Sequence, residues 1–479
     1  MPAHRPEAGS ETVRLWSFTE DTLLETGEDD TLVAVTWWGE YELPDIAPQV
    51  RDSLGRMLLG PVSMDNLASS MPDAAGDWRG MLRKVLERLA GSVVHSVGLS
   101  DGRGPVLSAI PVTQAPVFSA EPIPPGRPVK LSRFATMRPD GGALVVESPR
   151  ARYRLALLRR PAVTVASSLA GPVTVERIAA DSGLPEPVVA EIVAFLVAAG
   201  VALAAGPKAE FAEDTDTDLA VWPPEDLMFH SRSRTWQKVG PLEPGGDRPG
   251  SEPPVLKLLP AGPAIPLHRP DPMTVGSDGA SLTSLLEHDH SCPEATGRSL
   301  TAEQMGEFLF RAARVRSIGP AHLPGGPSHE ASQRPYFSIG CLYELEIYVS
   351  VNRCAGLAPG IYHYDPRGHT LSPVNDDPAA LAGLLDLAMI GAGGHRRPPV
   401  LLTITARLTR TAWVLGKAAY ATTLVHVGCL QQILYLTGLA MGLTAHAVPV
   451  DAGDRVDRTL KLEWPAEVSV GECVLDLPG

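Results

Sequence analysis

The chain has 479 residues, 44% of them hydrophobic and 20% charged, the composition of a folded globular protein rather than a disordered one. Gly (45) and Pro (46) make up about a fifth of it, rich in loops but short of low complexity. With 41 Lys and Arg against 55 Asp and Glu, the net charge is −14, and no basic block offsets it, so nucleic acid and anionic lipid are excluded as first expectations.

Met1 to Thr12 is polar and lacks the charged-then-apolar layout of a secretion signal. The five cysteines, Cys292, Cys341, Cys354, Cys429 and Cys473, form no CxxC pair, so a reduced, cytoplasmic protein is expected. Residues 11–125 and 126–206 read as two copies of one module. Val13-Arg14-Leu15 is echoed by Val129-Lys130-Leu131, Leu32-Val33 by Leu144-Val145, and Gly60-Pro61-Val62-Ser63 by Gly171-Pro172-Val173-Thr174. Each copy reads as strand, turn, strand, helix, a capping Ser63 or Thr174, further helix and strand. In the second copy the helices are expected over Thr174 to Ser182 and Pro185 to Ala199, with Val188, Ile192, Phe195 and Leu196 as a core face. This is the layout of tandem winged-helix modules. Pro185 to Ala199 carries Glu186 and Glu191 but no Lys or Arg, so scaffolding or peptide docking is expected in place of DNA binding. Trp37-Trp38 is expected to pack the first module.

Prolines recur through Gly240 to Pro272, so 207–272 reads as an extended connector that wraps or spaces the halves. Residues 273–479 read as a mixed α/β (α+β) domain. Its expected elements are a helix over Ala302 to Val315 introduced by Thr301, and a strand on which Tyr343, Leu345, Ile347, Val349 and Val351 alternate with Glu344 and Glu346. Further strands are expected at Ile361 to Tyr364 and Val400 to Thr405. Ala418 to Val450 has no charged residue and is long enough to cross a bilayer. Its Gln431, Gln432, His426 and three glycines, without basic anchors, instead predict a buried helix and no membrane partner. His426 is expected to be a hydrogen-bonded core residue, and Cys341 and Cys429 small buried ones.

The run Arg334-Pro335-Tyr336-Phe337-Ser338-Ile339-Gly340-Cys341-Leu342-Tyr343-Glu344-Leu345-Glu346-Ile347-Tyr348, with Val351-Asn352-Arg353 and Gly356-Leu357-Ala358-Pro359-Gly360-Ile361-Tyr362-His363-Tyr364-Asp365-Pro366, resembles the SagB-type, McbC-like dehydrogenases. The likeness extends to Gly306–Val315, Ala419–Gly442, Leu227–Arg234 and the tandem N-terminal modules. It implies a nitroreductase fold for 273–479. It also implies a flavoenzyme that oxidises thiazolines and oxazolines to azoles in ribosomally made, modified peptides such as thiopeptides. An active member is a homodimer with FMN at the interface and a Lys-Tyr pair near the substrate. Winged-helix modules of related biosynthetic proteins bind leader peptides by strand addition, so a precursor peptide is a candidate partner.

This chain departs from that pattern at four places. An Arg-Arg-Ser-x-Arg segment that would hold the flavin phosphate is replaced by His288-Asp289-His290-Ser291-Cys292-Pro293, which keeps only Ser291; Arg298, just beyond, is the substitute candidate. The flavin-facing Pro-Ser-Gly-Gly turn is Phe337-Ser338-Ile339-Gly340, keeping Ser338 and Gly340. A glycine-bearing turn after the long helix is replaced by Ala447-Val448-Pro449-Val450-Asp451. The Lys-Tyr positions are Val414 and Leu415, with Lys417 and Tyr420 as displaced candidates. Each lost charged contact to phosphate removes roughly 1.5–3 kcal/mol, so two lost arginines weaken FMN binding by about 10² to 10⁴.

The expectation is therefore a flavin-free, non-catalytic relative without a cofactor. It would pair as a homo- or heterodimer with an active dehydrogenase paralogue or other peptide-modifying enzymes. The alternative is an active FMN-dependent azoline dehydrogenase using Lys417, Tyr420, Ser338 and Arg298. His288-x-His290-x-Cys292 has metal-compatible side chains at alternate positions but no evident fourth ligand, and no metal site is expected.

Overall fold

A computed structural model describes residues 11–27, 30–69, 77–233, 251–260, 262–271, 280–287, 298–322, 328–450 and 453–478. The chain is a mixed α+β protein of two compact units, Met1–Arg232 and Ser233–Gly479.

The first unit opens with β1 (Thr12–Phe18) and a meander of β2 (Leu23–Thr26), β3 (Leu32–Thr36) and β4 (Gly39–Leu43). Helices α1 (Pro48–Leu59), α2 (Met64–Ser69) and α3 (Trp78–Arg88) follow, then the hairpin β5 (Val93–Leu99) and β6 (Pro105–Pro111). The order repeats as β7 (Val129–Leu131), a meander of β8 (Thr136–Asp140), β9 (Ala143–Glu147) and β10 (Tyr153–Leu157), helices α4 (Arg160–Ser168), α5 (Val175–Ser182) and α6 (Glu186–Ala198), and β11 (Ala202–Ala204). Short helices α7 (Ala212–Thr215), α8 (Thr217–Ala220) and α9 (Pro224–Ser233) follow.

Trp16 bridges Val62 as Val129 bridges Val173, so Val129 corresponds to Trp16, three residues beyond the Val13 that the sequence echo suggests. Ser63 Oγ accepts from Asn66 N at 3.1 Å and Thr174 Oγ1 from Arg177 N at 3.4 Å. Each hydroxyl satisfies an N–H that the first turn of a helix leaves open. The modules expected at 11–125 and 126–206 do not stand apart. They share one sheet of order β1-β5-β6-β10-β9-β8, and Val97, Val106, Leu107 and Ala109 of the first copy lie in one core with α4, α5 and α6. The start of the expected 207–272 connector is helical and tied into this unit: Glu213, buried, accepts from Ser132 Oγ at 2.6 Å and Arg133 N at 2.8 Å. At the β3–β4 turn, Trp38 Nε1 donates to Gly91 O (2.9 Å), whereas Trp37 is exposed.

The second unit contains β12 (Ile265–Pro266), α10 (Leu282–Leu286), β13 (Leu300–Thr301), α11 (Ala302–Ala313), the hairpin β14 (Ser317–His322) and β15 (Ser328–Gln333), and β16 (Leu345–Val351). There follow β17 (Cys354–Ala355), β18 (Gly360–Asp365), β19 (Thr370–Asn375), α12 (Pro378–Gly391), β20 (Val400–Arg407), α13 (Leu408–Leu415), α14 (Ala419–Ala440), β21 (Thr444–Val448), α15 (Gly453–Thr459) and β22 (Glu467–Asp476). A sheet of order β12-β19-β18-β16-β20-β22-β21 forms its centre. Thr301 and Gln304 close a capping box at the start of α11, which satisfies two open N–H groups reciprocally. Side chains of α11 and α14 cover one face of the sheet and those of α12 and α15 the other, so all seven residues of β16 are buried.

The long helix is shorter than its uncharged run and is buried along one face only. His426, Val427, Leu430 and Leu434 pack inward, while Tyr420, Leu424 and Val425 are exposed. The helix is apolar and long enough to span a bilayer by composition, but one face is committed to the sheet, and a helix packed on one side buries only a stripe of its surface.

Candidate functional site

The turn that the resemblance makes flavin-facing runs from Phe337 to Tyr343. Gly340, Cys341 and Tyr343 take left-handed backbone angles, with φ of 62°, 53° and 46°, a conformation that side-chain-bearing residues rarely adopt. What holds them there is a set of buried hydrogen bonds. Ser338 Oγ accepts from Tyr343 N at 3.0 Å, and Gly340 O lies 2.8 Å from His329 Nε2. Ile339 N donates to His426 Nε2 at 2.8 Å, and His426 Nδ1 lies 2.8 Å from Glu344 Oε1. Because Nε2 accepts, the ring proton sits on Nδ1 and is donated to the carboxylate. His426 and Glu344 are both fully buried. Carboxylate–imidazole pairing is the arrangement of a general base, but here the nitrogen that would face a substrate is occupied by a backbone amide. Phe337 is 62% exposed, so its ring lies mostly in solvent and does not fill this region. Cys341 is partly exposed rather than buried, and its Sγ accepts from Gln333 Nε2 at 3.2 Å; Cys429 is also partly exposed.

Val414 and Leu415, at the end of α13, are 6% and 5% exposed and form an apolar cluster with Leu342, Ala418 and Ala419. Lys417 lies in the short turn between α13 and α14. Tyr420 is in the first turn of α14, 43% exposed, six residues before His426. Arg298 is exposed just ahead of β13, which pairs with β17. Ser291, the rest of His288–Pro293 and its metal-compatible trio lie outside the described residues. Among the described residues no group of three or more His, Cys, Asp or Glu is disposed to hold a metal. The structure thus brings Ser338, Gly340 and His426 together and places Tyr420 on the same helix as His426.

Sequence reasoning missed a buried charged seam beside this turn. Glu346 is paired with Arg407 (2.9 Å) and accepts from His363 Nε2 (3.2 Å). Burial alone would raise its pKa, but the His363 hydrogen bond and the Arg407 and Arg334 charges outweigh burial and hold it at about 2. Arg407 donates to Pro254 O and Val255 O, each at 2.8 Å. Arg410, 2% exposed, donates to Leu342 O (2.6 Å), Pro253 O (2.9 Å) and Glu330 O. Lys257 pairs with Glu467, which also accepts from Thr405 Oγ1 at 2.6 Å. The Pro-rich strap is therefore read carbonyl by carbonyl by two guanidiniums, and one of them also grips the turn. The alternation of Glu344 and Glu346 in an apolar strand carried the signal, since a strand central in its sheet buries both faces.

Comparisons with known proteins add the following. The family described as the cyanobactin oxidase ThcOx matches residues 129–238, which begin at β7. A Methanocaldococcus jannaschii protein named as a candidate nitroreductase is 28% identical over 189 residues, 38% of this chain and 86% of that protein. Among solved structures, a chain from Anabaena variabilis described as a nitroreductase is 19% identical with a TM-score of 0.35, covering 47% of this chain and 40% of its own length. One from Ralstonia eutropha is 22% identical with a TM-score of 0.35, covering 47% and 98%. The E. coli microcin synthetase McbBCD complex with truncated pro-MccB17 bound is 17% identical with a TM-score of 0.33, covering 42% and 75%. This chain is thus similar to nitroreductases over part of its length, and over 129–238 to a cyanobactin oxidase family.

Proposed function

We propose that the chain is a flavin-free subunit of an azoline-oxidising assembly that modifies a ribosomally made peptide, paired with an active dehydrogenase or another modifying enzyme. The observation that carries this reading is the Val414–Leu415 plug. Where the resemblance calls for a proton-moving Lys-Tyr pair, two buried aliphatic side chains pack on Leu342, and the nearby imidazole of His426 is capped by Ile339 N–H. Loss of a general acid or base costs ~10²–10⁴ in rate. Ser338 Oγ accepts from Tyr343 N and is no proton-moving substitute for the pair, so the described residues at those positions do not fit Lys-Tyr proton transfer. The test is the visible absorption spectrum of the protein purified alone and together with a dehydrogenase encoded beside it. A colourless chain that co-purifies with a yellow partner is the expected result. Flavin bound to this chain alone overturns the reading and directs mutation to Lys417 and Tyr420.

The internal repeat supports a peptide partner. In the second copy the outer edge of β10 is covered by the antiparallel strand β6, whereas β4, its counterpart, ends its sheet with no strand beyond it among the described residues. An open edge accepts an extended segment by backbone hydrogen bonding. With a two-residue turn at Trp37-Trp38, the N–H groups of Glu40 and Glu42 point to that edge. Glu42→Pro removes one of them, and it is expected to weaken precursor-peptide binding at least tenfold in fluorescence anisotropy. Unchanged affinity places the peptide elsewhere.

A further inference from the structure

We infer that the first unit holds a ligand site of its own, a cavity of about 330 Å³ between β1, β5 and α6 that takes a planar, uncharged heteroaromatic ring. Its walls are the rings of Trp16, His95, Phe118 and Phe195, and its rim carries Arg14 and Glu121. His95 stacks on Phe118 with centroids 4.4 Å apart and 13° between planes, and Phe118 meets Phe195 edge-on at 4.9 Å. Rings held at such spacings offer both face and edge contacts to a further aromatic group.

The imidazole supplies the polar handle. Burial pushes His95 down to about 4, so it is neutral near pH 7 and presents one N–H donor and one acceptor. Among the described residues neither ring nitrogen has a hydrogen-bond partner. These nitrogens are not sealed from solvent and are available to a guest in the cavity, and the fold does not require an imidazole here. The repeat is the internal control: Trp16 pairs with His95 as Val129 pairs with Ala204. The second copy builds the same strand pair from two small apolar side chains.

The rim decides the charge of the ligand. Arg14 is committed to Glu191, at 2.5 and 3.2 Å, and to Ala120 O at 3.0 Å. Glu121 accepts from Ser119 Oγ at 2.6 Å. With the guanidinium balanced and a carboxylate beside it, no positive charge is left over for an anion. The volume is roughly twice that of the ~150 Å³ cavity known to hold a benzene ring, which leaves room for a five- or six-membered ring with a short substituent. A ring nitrogen would accept from His95 N–H while the ring lies against Trp16 and Phe195 in the cavity wall. The link to function rests on the proposed place in azole-peptide biosynthesis, because thiazoles and oxazoles are rings of this class.

The test is a titration of the full chain, followed by ligand-observed NMR, with thiazole-4-carboxamide, thiophene-carboxamide and nicotinamide. Saturable binding of the thiazole is expected, at least tenfold tighter than that of the thiophene, which lacks the ring nitrogen. His95→Phe keeps the stack and removes both nitrogens; it should abolish that preference while leaving the far-ultraviolet circular dichroism unchanged. No saturable binding by any probe, or equal affinity for thiazole and thiophene on the unmutated chain, overturns the site. Binding of nicotinamide but not thiazole keeps the site and removes its link to azoles. None of these readouts depends on flavin, so the spectrum that tests the subunit reading fails or holds independently.

Discussion

Glu472 shows how a single buried residue tunes the second unit. It lies on β22, 6% exposed, opposite Thr403 and Val448. Burial first, and Asp457 second, raise its pKa to about 7. In the unfolded chain it ionises near the usual carboxylate value, so between about pH 4.5 and 7 the folded state holds more protons than the unfolded one. Stability from this group is full below that window and falls as pH rises through it. Glu472→Gln is therefore expected to raise the Tm by roughly 2–8 °C at pH 8 and to change it little at pH 4.5, measured by thermal denaturation across the range. Arg410 makes the opposite point, since its charge is held by three carbonyls. Arg410→Met should lower unfolding free energy in urea titration by about 1–3 kcal/mol for each buried carbonyl of Leu342, Pro253 and Glu330 that is left without a donor. Residues of this kind were only half legible. The sequence places Glu344 and Glu346 on one side of a strand, but their burial depends on His426 and Arg407, which lie far away in the chain.

Elements with local punctuation were the easiest to read. Thr174 starts α5 and Gly183 ends it in the left-handed conformation, and Thr301 caps α11, because caps and stops act within one turn. The strap was legible as extended and partly apolar, but its anchors were not, because Arg407 and Arg410 reach it from more than 150 residues away. The long helix was legible as uncharged, yet which face packs depends on the sheet beneath it. Its outer face, with Leu424 and Val425, is where we place a partner chain. Val425→Glu puts a charge into that apolar surface without touching the inward row of His426, Leu430 and Leu434. It is expected to abolish co-purification with the dehydrogenase partner in size-exclusion chromatography while leaving Tm within about 2 °C. Retained association moves the interface elsewhere.

For the whole molecule, each unit has its own cores: among the described residues, two apolar clusters lie in the first and three in the second. Differential scanning calorimetry is expected to resolve two transitions, with Glu472→Gln moving only one of them. A single transition that shifts as a whole would mean that the units unfold together. The duplication itself was legible in Gly60–Ser63 and Gly171–Thr174, whereas the sharing of one sheet was not, since strand partners are chosen by tertiary packing. That sharing has a consequence for stoichiometry. Because β6 occupies the edge of β10, the second module has no counterpart of the open β4 edge among the described residues. At that edge, doubling the architecture has not doubled the valence, so if several copies of a substrate are to be gathered there at once, the number must come from how many chains assemble.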